Sequence, residues 1–564
     1  MASATIPLQA HTESVAVVGS GAAGLITAHT LIQDGFRNVV ILSSDKHPGG
    51  VWSQEHIYPG IVINNVHGEY RFSSLPMPPS PLPSKRVSGD EMRAYMEHFA
   101  ETFLTGRIRY GVDVSRIRRK SPAGGWSLDI VNKQENTKET RDFAWLVLCT
   151  GGCSKPYIPE SLSFEAAIEA GFTGHVFHSS RFAQHTKMVE ELARRANYDY
   201  RVVIAGGGKS AQDLAAYLAQ KGIDTTVVFE TTDAIVAVPV ALPDFIRKSR
   251  VLSIMASHIE LRTRLEQFLH TTWLGSKIVK GFWNFLSWSS YKALSVPQNS
   301  PMRRAQPLFW SIRANDEGAP RSDSFFSLVS AGKIKLESPA RVASFGEGHS
   351  VHLDNGQFLK ADVLVLATGF ESSWGTLFDD ETAESLGINR HAPSGPDMDE
   401  WHYMSLNSPP PPCPQQENWA SSIYRGIVPA KNLQNRDFAI NGAVFTTNPG
   451  YAYEVTANWI SSYFLGDTMR LPSSSEEALV HTERNAAWLR KRYPGALAWI
   501  NESYSSSLAF WSWPQMTDEL LEDMGVTSMR SGGNWFTWPF RVISVDELKI
   551  LRDERRAIRE KSQK

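Results

Sequence analysis

Ser14-VAVVGSGAAGLITAHTLIQDGF-Arg37 decides the fold. A short apolar run leads into a turn through Gly19, Gly21 and Gly24, an apolar helical stretch follows, and Gly35 closes it before Asn38-VVI-Leu42 supplies another strand. Strand, glycine turn, helix and strand make the βαβ unit that opens dinucleotide-binding domains. The glycines have a physical reason: a side chain would obstruct the turn and the close approach of backbone to pyrophosphate, whose charge the helix N-terminus offsets. A bare GxGxxG also occurs in plain strand-helix turns, so the weight rests on the strand before it and the helix after it.

The same order recurs from Arg201 to Glu230 as RVVIAGGGKSAQDLAAYLAQKGIDTTVVFE, the first glycines of the two units lying 187 residues apart. Here Gly206 and Gly208 are kept, and Ala211 stands where a third glycine would, a variant the fingerprint allows. Lys209, Ser210, Gln212 and Asp213 complete this second candidate loop, with Lys209 adding a positive charge beside a phosphate cradle. Two such units imply two dinucleotides, and the usual reason to bind two is to pass a hydride between nicotinamide and flavin. A duplicated scaffold with one empty site is the alternative.

The rest of the chain narrows the class. Its 564 residues exceed a typical domain several-fold, and 42% hydrophobic and 21% charged residues are ordinary globular usage. Lys plus Arg (57) nearly balance Asp plus Glu (59), so no global positive field gathers nucleic acid. Three cysteines (Cys149, Cys153, Cys413) are too few for a disulfide scaffold and suit a reducing, cytoplasmic setting. Cys149 and Cys153 are spaced neither as a redox C-x-x-C nor as half a zinc site, and no nucleophile elbow or HExxH occurs, so no metal is expected. The polar start, Met1 to Ser14, does not read as a signal peptide, and no apolar run is long enough for a spanning helix.

Ser88 with Glu91 reads as a capping box before a core stripe of Met92, Tyr95, Met96, Phe99 and Phe103. Proline clusters at Pro76 to Pro83 and Pro409 to Pro414 read as surface loops. Trp145-LVLCTG-Gly152 and Ala361-DVLVLATG-Phe370 are matching buried strands ending in glycine turns, suited to lead out of one domain and back into the other. Leu269 to Trp288 is rich in Trp and Phe on a helical period with lysines opposite, which fits core, a substrate lid, or a helix on a membrane surface.

At this point the residues resemble a known family, the class B flavin-dependent monooxygenases. Phe172-TGHVFHSSR-Phe182 is similar to its identifying pattern FxGxxxHSxxF/Y through Phe172, Gly174, His178, Ser179 and Phe182. Leu366-ATG-Phe370, with Thr368 and Gly369, is similar to its second signature, Thr150-GGCSKPYI-Pro159 to its strand exit, and Gly49-GV-Trp52, with Gly50 and Val51, to its GGxW. The resemblance covers most of the chain and implies FAD, NADPH or NADH, dioxygen added at flavin C4a, and a retained nicotinamide that shields the oxygenated flavin. His178 would then link the domains and help place the nicotinamide; alone it would read as a satisfied loop histidine.

Asn64, in Ile61-VINNVHGEYRFSSL-Pro76, falls where the family carries an asparagine next to the flavin, so the resemblance makes it the candidate catalytic residue. Its NH2 can donate to a peroxide oxygen without protonating it outright. A turn asparagine in a polar loop is the plainer reading. Departures from the pattern also count. The residue 24 positions after Gly19, where an acid often holds the ribose, is Ser43, with Asp45 two further on as substitute. The same count from Gly206 reaches Glu230, which would repel a 2'-phosphate unless Lys209 compensates.

The expected architecture is α/β with two Rossmann-like domains: an FAD domain over 1–172 and 345–564, split by an NAD(P) domain over 173–344. The expected activity is oxygenation of a lipophilic small molecule by N- or S-oxygenation, Baeyer-Villiger insertion or epoxidation, resembling fungal enzymes of secondary metabolism. Phe182, where Baeyer-Villiger members usually carry Trp, leans against the second. A flavoprotein acting as an oxidase or redox sensor without a small substrate is the alternative.

Overall fold

The computed structural model describes residues 12–80, 86–120, 124–197, 199–239, 242–388, 400–413, 422–495 and 507–562. Ten strands build two five-stranded parallel sheets: β1 (Ser14–Val18), β2 (Asn38–Leu42), β3 (Ile108–Arg109), β4 (Trp145–Leu148), β5 (His175–His178), β6 (Arg201–Ala205), β7 (Asp224–Val228), β8 (Ile334–Glu337), β9 (Val363–Leu366) and β10 (Phe438–Ile440). The first sheet runs β10-β4-β1-β2-β3 and the second β5-β9-β6-β7-β8. In each, the strand before the glycine loop has a parallel neighbour on both sides, Ser14 to Val18 pairing with Asn38 to Leu42 and Arg201 to Ala205 with Asp224 to Val228. Such strands are covered on both faces and must be continuously apolar, which is why VAVV and VVIA carry no alternation.

Each loop opens a helix, α1 (Ala22–Gln33) after the first and α2 (Lys209–Gln220) after the second. Ala22 to Leu31 are all buried, because α1 lies between its sheet and a late helix, α3 (Pro449–Phe464). The expected capping box is present: Ser88 accepts from the Glu91 amide while Glu91 reaches back to the Ser88 amide, and Met92, Tyr95, Met96 and Phe99 line the first core. Pro81 to Pro83 and Pro414, at the ends of the two proline clusters, lie outside the described residues.

The pairing of β9 shifts the expected domain limits. It sits between β5 and β6, in the second sheet, so that unit reaches Leu366 and does not end at 344. Lys155–Pro156 pairs antiparallel with Phe370–Glu371, and these two short strands are where the chain leaves the first unit and returns to it. Leu162, Ala167 and Phe172 likewise pack with Val203 and Leu364 in the second unit. The motif at 361–370 misled because its buried run looks the same in either sheet; only its partner decides.

A helical lobe interrupts the second unit between β7 and β8. It contains α4 (Arg264–Thr271) and α5 (Trp273–Ala293) and packs on α6 (Ser475–Arg492) from the C-terminal region through Trp283, Phe309, Trp310, Trp401, Trp488 and Trp511. Among the described residues, no helix is long and apolar enough to cross a membrane.

Candidate active site

The first cradle is built by exclusion of side chains. A Cβ at Gly24 would lie 1.9 Å from the Gly19 carbonyl oxygen, and one at Gly19 would lie 2.4 Å from the Cys149 carbonyl oxygen. Gly49 donates its N–H to the Ser20 carbonyl at 2.8 Å, bringing the short helical turn Gly50–Trp52 against Gly21; a Cβ at Gly50 would sit 2.9 Å from the Gly21 Cα. A glycine-lined concavity at a helix N-terminus fits a dinucleotide pyrophosphate. Trp52 is half-buried and packs edge-on against Tyr70, while Val51 is exposed. Ser43 is buried, its hydroxyl 2.7 Å from that of Ser20, so it closes the loop from inside. Asp45 is the partly exposed carboxylate of the two ribose candidates, held 3.1 Å from His56 Nε2.

The second cradle has the same backbone logic with more charge. A Cβ at Gly206 (φ +128°) would meet the Ala367 carbonyl oxygen at 2.3 Å, and one at Gly207 the Thr231 carbonyl oxygen at 2.5 Å. Ala211 is fully buried under the loop, showing that a methyl group fits where a third glycine was optional. Gln212 braces the loop, donating to the Gly207 carbonyl at 3.0 Å and to Thr232 Oγ1 at 2.8 Å. Ser210 stays exposed in the first turn. Lys209 Nζ is paired with Asp213 at 2.5 Å and donates to the Val62 carbonyl at 3.3 Å. Charge compensation for Glu230 comes instead from Arg341, which pairs with it through Nε at 2.6 Å, while Arg304 Nε reaches the Glu230 carbonyl at 3.2 Å. Both arginines are distant in sequence, so counting from the loop could not find them.

Asn64 lies where the two units meet, on the strand Val62–Val66 that Lys209 touches. Its Nδ2 donates to the Ala314 carbonyl at 3.1 Å and its Oδ1 accepts from the Asp316 amide at 3.3 Å. This fixes the amide orientation and leaves its second N–H without a partner among the described residues. The Asn64 carbonyl accepts from Arg86 and, at 2.9 Å, from Arg247 Nη2. Arg247 also pairs with Glu69 at 2.9 Å and Asp316 at 2.7 Å, and Arg86 pairs with Asp316. Burial pushes the Asp316 carboxyl up, yet Arg247 and Arg86 outweigh it and leave the group below its ordinary range. These ionic partners come from four separate segments, and no local spacing announces them.

His178 ends β5 with both ring nitrogens used. Nδ1 accepts from the Ser180 amide at 3.2 Å, which makes Nε2 the donor to the Gly369 carbonyl at 2.9 Å. Burial holds its pKa down, so the ring is neutral. It pins the crossing between the units, where Thr368 Oγ1 donates to the Tyr157 carbonyl at 2.5 Å and the Tyr157 amide to the Gly369 carbonyl at 3.0 Å.

The profile of the flavin-binding monooxygenase-like family matches residues 12–387. The chain belongs to that family. Relatives include the FAD-dependent monooxygenase rstn6 of Aspergillus nomiae, 26% identical over 85% of this chain and 88% of that protein. The FAD-dependent monooxygenase DEP4 of Alternaria brassicicola is 26% identical over 97% and 95%. A closed structure of cyclohexanone monooxygenase superposes with a TM-score of 0.59 at 15% identity, covering 91% of this chain and 97% of that one, a likeness of fold.

In this flavin monooxygenase the helical lobe sets a packed aromatic core behind Asn64. Ala314, whose carbonyl holds Asn64, belongs to the same cluster as Phe309, Trp310, Trp283 and Trp511. At the far end of this core the Arg492 guanidinium is fully buried, 4.2 Å over the Phe309 ring and 4.6 Å over Tyr493, and among the described residues none of its three nitrogens has a hydrogen-bond partner. Among the described residues the Trp511 indole N–H is unpartnered too. Arg492 lies one turn beyond Trp488 on α6, buried in the core, while His481, Arg484 and Trp488 of the same helix line a cavity of about 370 Å³. Sequence reading marked the aromatic stretches but not Arg492, which lies in an ordinary-looking basic helix end, Arg490-Lys-Arg492.

Proposed function

We propose that this flavin monooxygenase holds FAD in the first cradle and NADPH in the second and oxygenates a lipophilic small molecule of fungal secondary metabolism. The observation that carries the reading is the position of Asn64, pinned at Ala314 and Asp316 on a strand that the second glycine loop itself contacts. The flavin, when bound, would carry reducing equivalents from the nicotinamide to dioxygen taken from solution. The protein does the positioning: backbone amides at Gly19 to Gly24 and Gly206 to Gly208 receive pyrophosphate, and Asn64 offers one neutral N–H at the junction. The aromatic lobe, to which Ala314 belongs, keeps water from the side of the junction on which Asn64 is held. Arg341 and Arg304 flank Glu230 and support a 2'-phosphate and thus NADPH. A cytoplasmic setting fits Cys149 and Cys153, which are free thiols among the described residues.

Stopped-flow absorbance tests this. The protein is reduced with NADPH or with NADH, then mixed with oxygenated buffer. A long-lived transient absorbing at shorter wavelengths than oxidised flavin, with faster reduction by NADPH, is the expected result; immediate return of oxidised flavin with and without candidate substrate would favour an oxidase. Asn64→Ala should keep flavin bound and NADPH oxidation within a few-fold, while product per NADPH falls by about tenfold and hydrogen peroxide takes its place. Unchanged coupling would remove Asn64 from the mechanism.

A further inference from the structure

Helix α5 has two apolar faces and only one of them is covered. The inner face sends Val279, Trp283 and Leu286 into the lobe, where the Trp283 indole donates to the Met255 carbonyl at 2.8 Å. The outer face carries Trp273, Leu274, Ile278, Phe285 and Trp288, which remain 41 to 65% exposed. At 3.6 residues per turn these five fall on a stripe about 140° wide, one side of the helix from end to end. Phe268 of α4 extends it: the two helices meet so closely that a Cβ at Gly275 would lie 2.0 Å from the Phe268 carbonyl oxygen, and Phe268 is itself exposed. Scattered surface hydrophobics need no explanation, but a continuous stripe of two Trp, a Phe and two aliphatic residues on one helix does.

The charge on this face says what covers it. From Gln267 to Ala293 there is no Asp or Glu, against Lys277, Lys280 and Lys292. Lys280 is turned to the Asn407 carbonyl at 2.9 Å, whereas Lys277 and Lys292 stay exposed within the stripe and not opposite it as the sequence suggested, Lys292 Nζ 4.9 Å over the Trp288 ring. A second copy of this chain would set these lysines against their own kind across a twofold axis. Anionic headgroups instead neutralise them, while indole and phenyl rings enter the headgroup-acyl boundary and lysine stems reach back to phosphate. We propose that the outer face of α5 docks on the surface of an anionic lipid bilayer, the helix lying in the plane of the interface. The contact needs nothing from the oxygenation reading, though it sets the aromatic lobe beside the phase in which a lipophilic substrate dissolves.

Flotation of the full-length flavoprotein tests it, with vesicles of phosphatidylcholine alone and of roughly two-thirds phosphatidylcholine and one-third phosphatidylserine. The protein should float with the mixed vesicles, about tenfold more weakly with phosphatidylcholine, and less as salt rises. The triple variant W273E/F285E/W288E, changed only at exposed positions, should keep its flavin spectrum and lose binding by more than tenfold. K277E/K292E should bind both vesicles equally. Absence of the wild type from both lipid fractions overturns the proposal, as does unchanged binding of the triple variant. A dimer in analytical ultracentrifugation that the triple variant dissolves, with no flotation, would assign the face to a second copy instead.

Discussion

The two glycine loops share a backbone plan and differ in what surrounds it. Around the first, the contacts are neutral: the Cys149 carbonyl, Gly49 and Gly50, and the Ser20–Ser43 hydroxyl pair. Around the second, Lys209, Asp213 and Asp233 crowd the start of the helix, with Asp233 Oδ2 accepting the Lys209 amide at 2.9 Å and lying 3.5 Å from where a Gly208 side chain would begin. A neutral, closed cradle suits a group held through every turnover. A cradle whose helix amide is already engaged by a protein carboxylate suits a ligand that must come and go.

Breaking the first cradle should have the larger effect. Gly24→Val places a side chain inside the Gly19 carbonyl, so we expect flavin-free, largely misfolded protein, seen as loss of visible absorbance and a Tm drop of many degrees. Gly206→Val clashes with Ala367 and imposes a positive φ on a branched residue, but its damage should stay in the second unit. That variant should retain flavin, measured by absorbance per protein, while NADPH-driven reduction falls at least about a hundredfold and dithionite still reduces it. Loss of flavin in both variants would mean that the two units fold as one and that their difference is superficial.

Away from its loop, the first unit buries a carboxyl far from its ordinary range. Glu454 on α3 accepts the Ser73 amide at 2.8 Å and the Ser73 hydroxyl, and burial raises its pKa to about 7. A carboxyl whose folded pKa is raised stabilises the fold below its unfolded value of 4.5 and loses that contribution as pH rises through 7. Glu454→Gln should therefore flatten the fall of stability over this range, a change on the order of 3 kcal/mol read from urea unfolding at several pH values. A slope identical to wild type would place that titration elsewhere.

How much of this was legible depends on how local the signal is. Glycine loops, their flanking strands, the Ser88 cap and the signature strands are encoded within runs of about ten residues, because turn sterics and parallel-sheet burial act over that length. The domain limit at 345 failed because β9 carries the same apolar run in either sheet and its position is fixed by β5 and β6, far away in sequence. The partner of Lys209 was legible only in part: Asp213, one helical turn on, stands at pairing distance in the sequence, but the Val62 carbonyl that Lys209 also reaches is far away in the chain. Arg86, Arg247 and Arg492 carry no local mark at all, since their meaning comes from partners, or the lack of them, that only the fold assembles.

Asp233 offers the finest test of the comparison. Its carboxylate occupies the first amide of α2, the group that a helix N-terminus offers to a phosphate, and two anions cannot share it. Burial raises the Asp233 pKa, so towards acid pH the side chain becomes neutral and ceases to repel an incoming dinucleotide. KM for NADPH should accordingly rise as pH increases through that pKa, with kcat and flavin content unaffected. Asp233→Asn should lower KM by several-fold, up to about tenfold, and remove its pH dependence, because the amide can still accept from Lys209 but carries no charge. A variant that loses stability without any fall in KM would show that Asp233 is merely a cap for the helix; the second cradle would then differ from the first in decoration, not in how readily it releases its ligand.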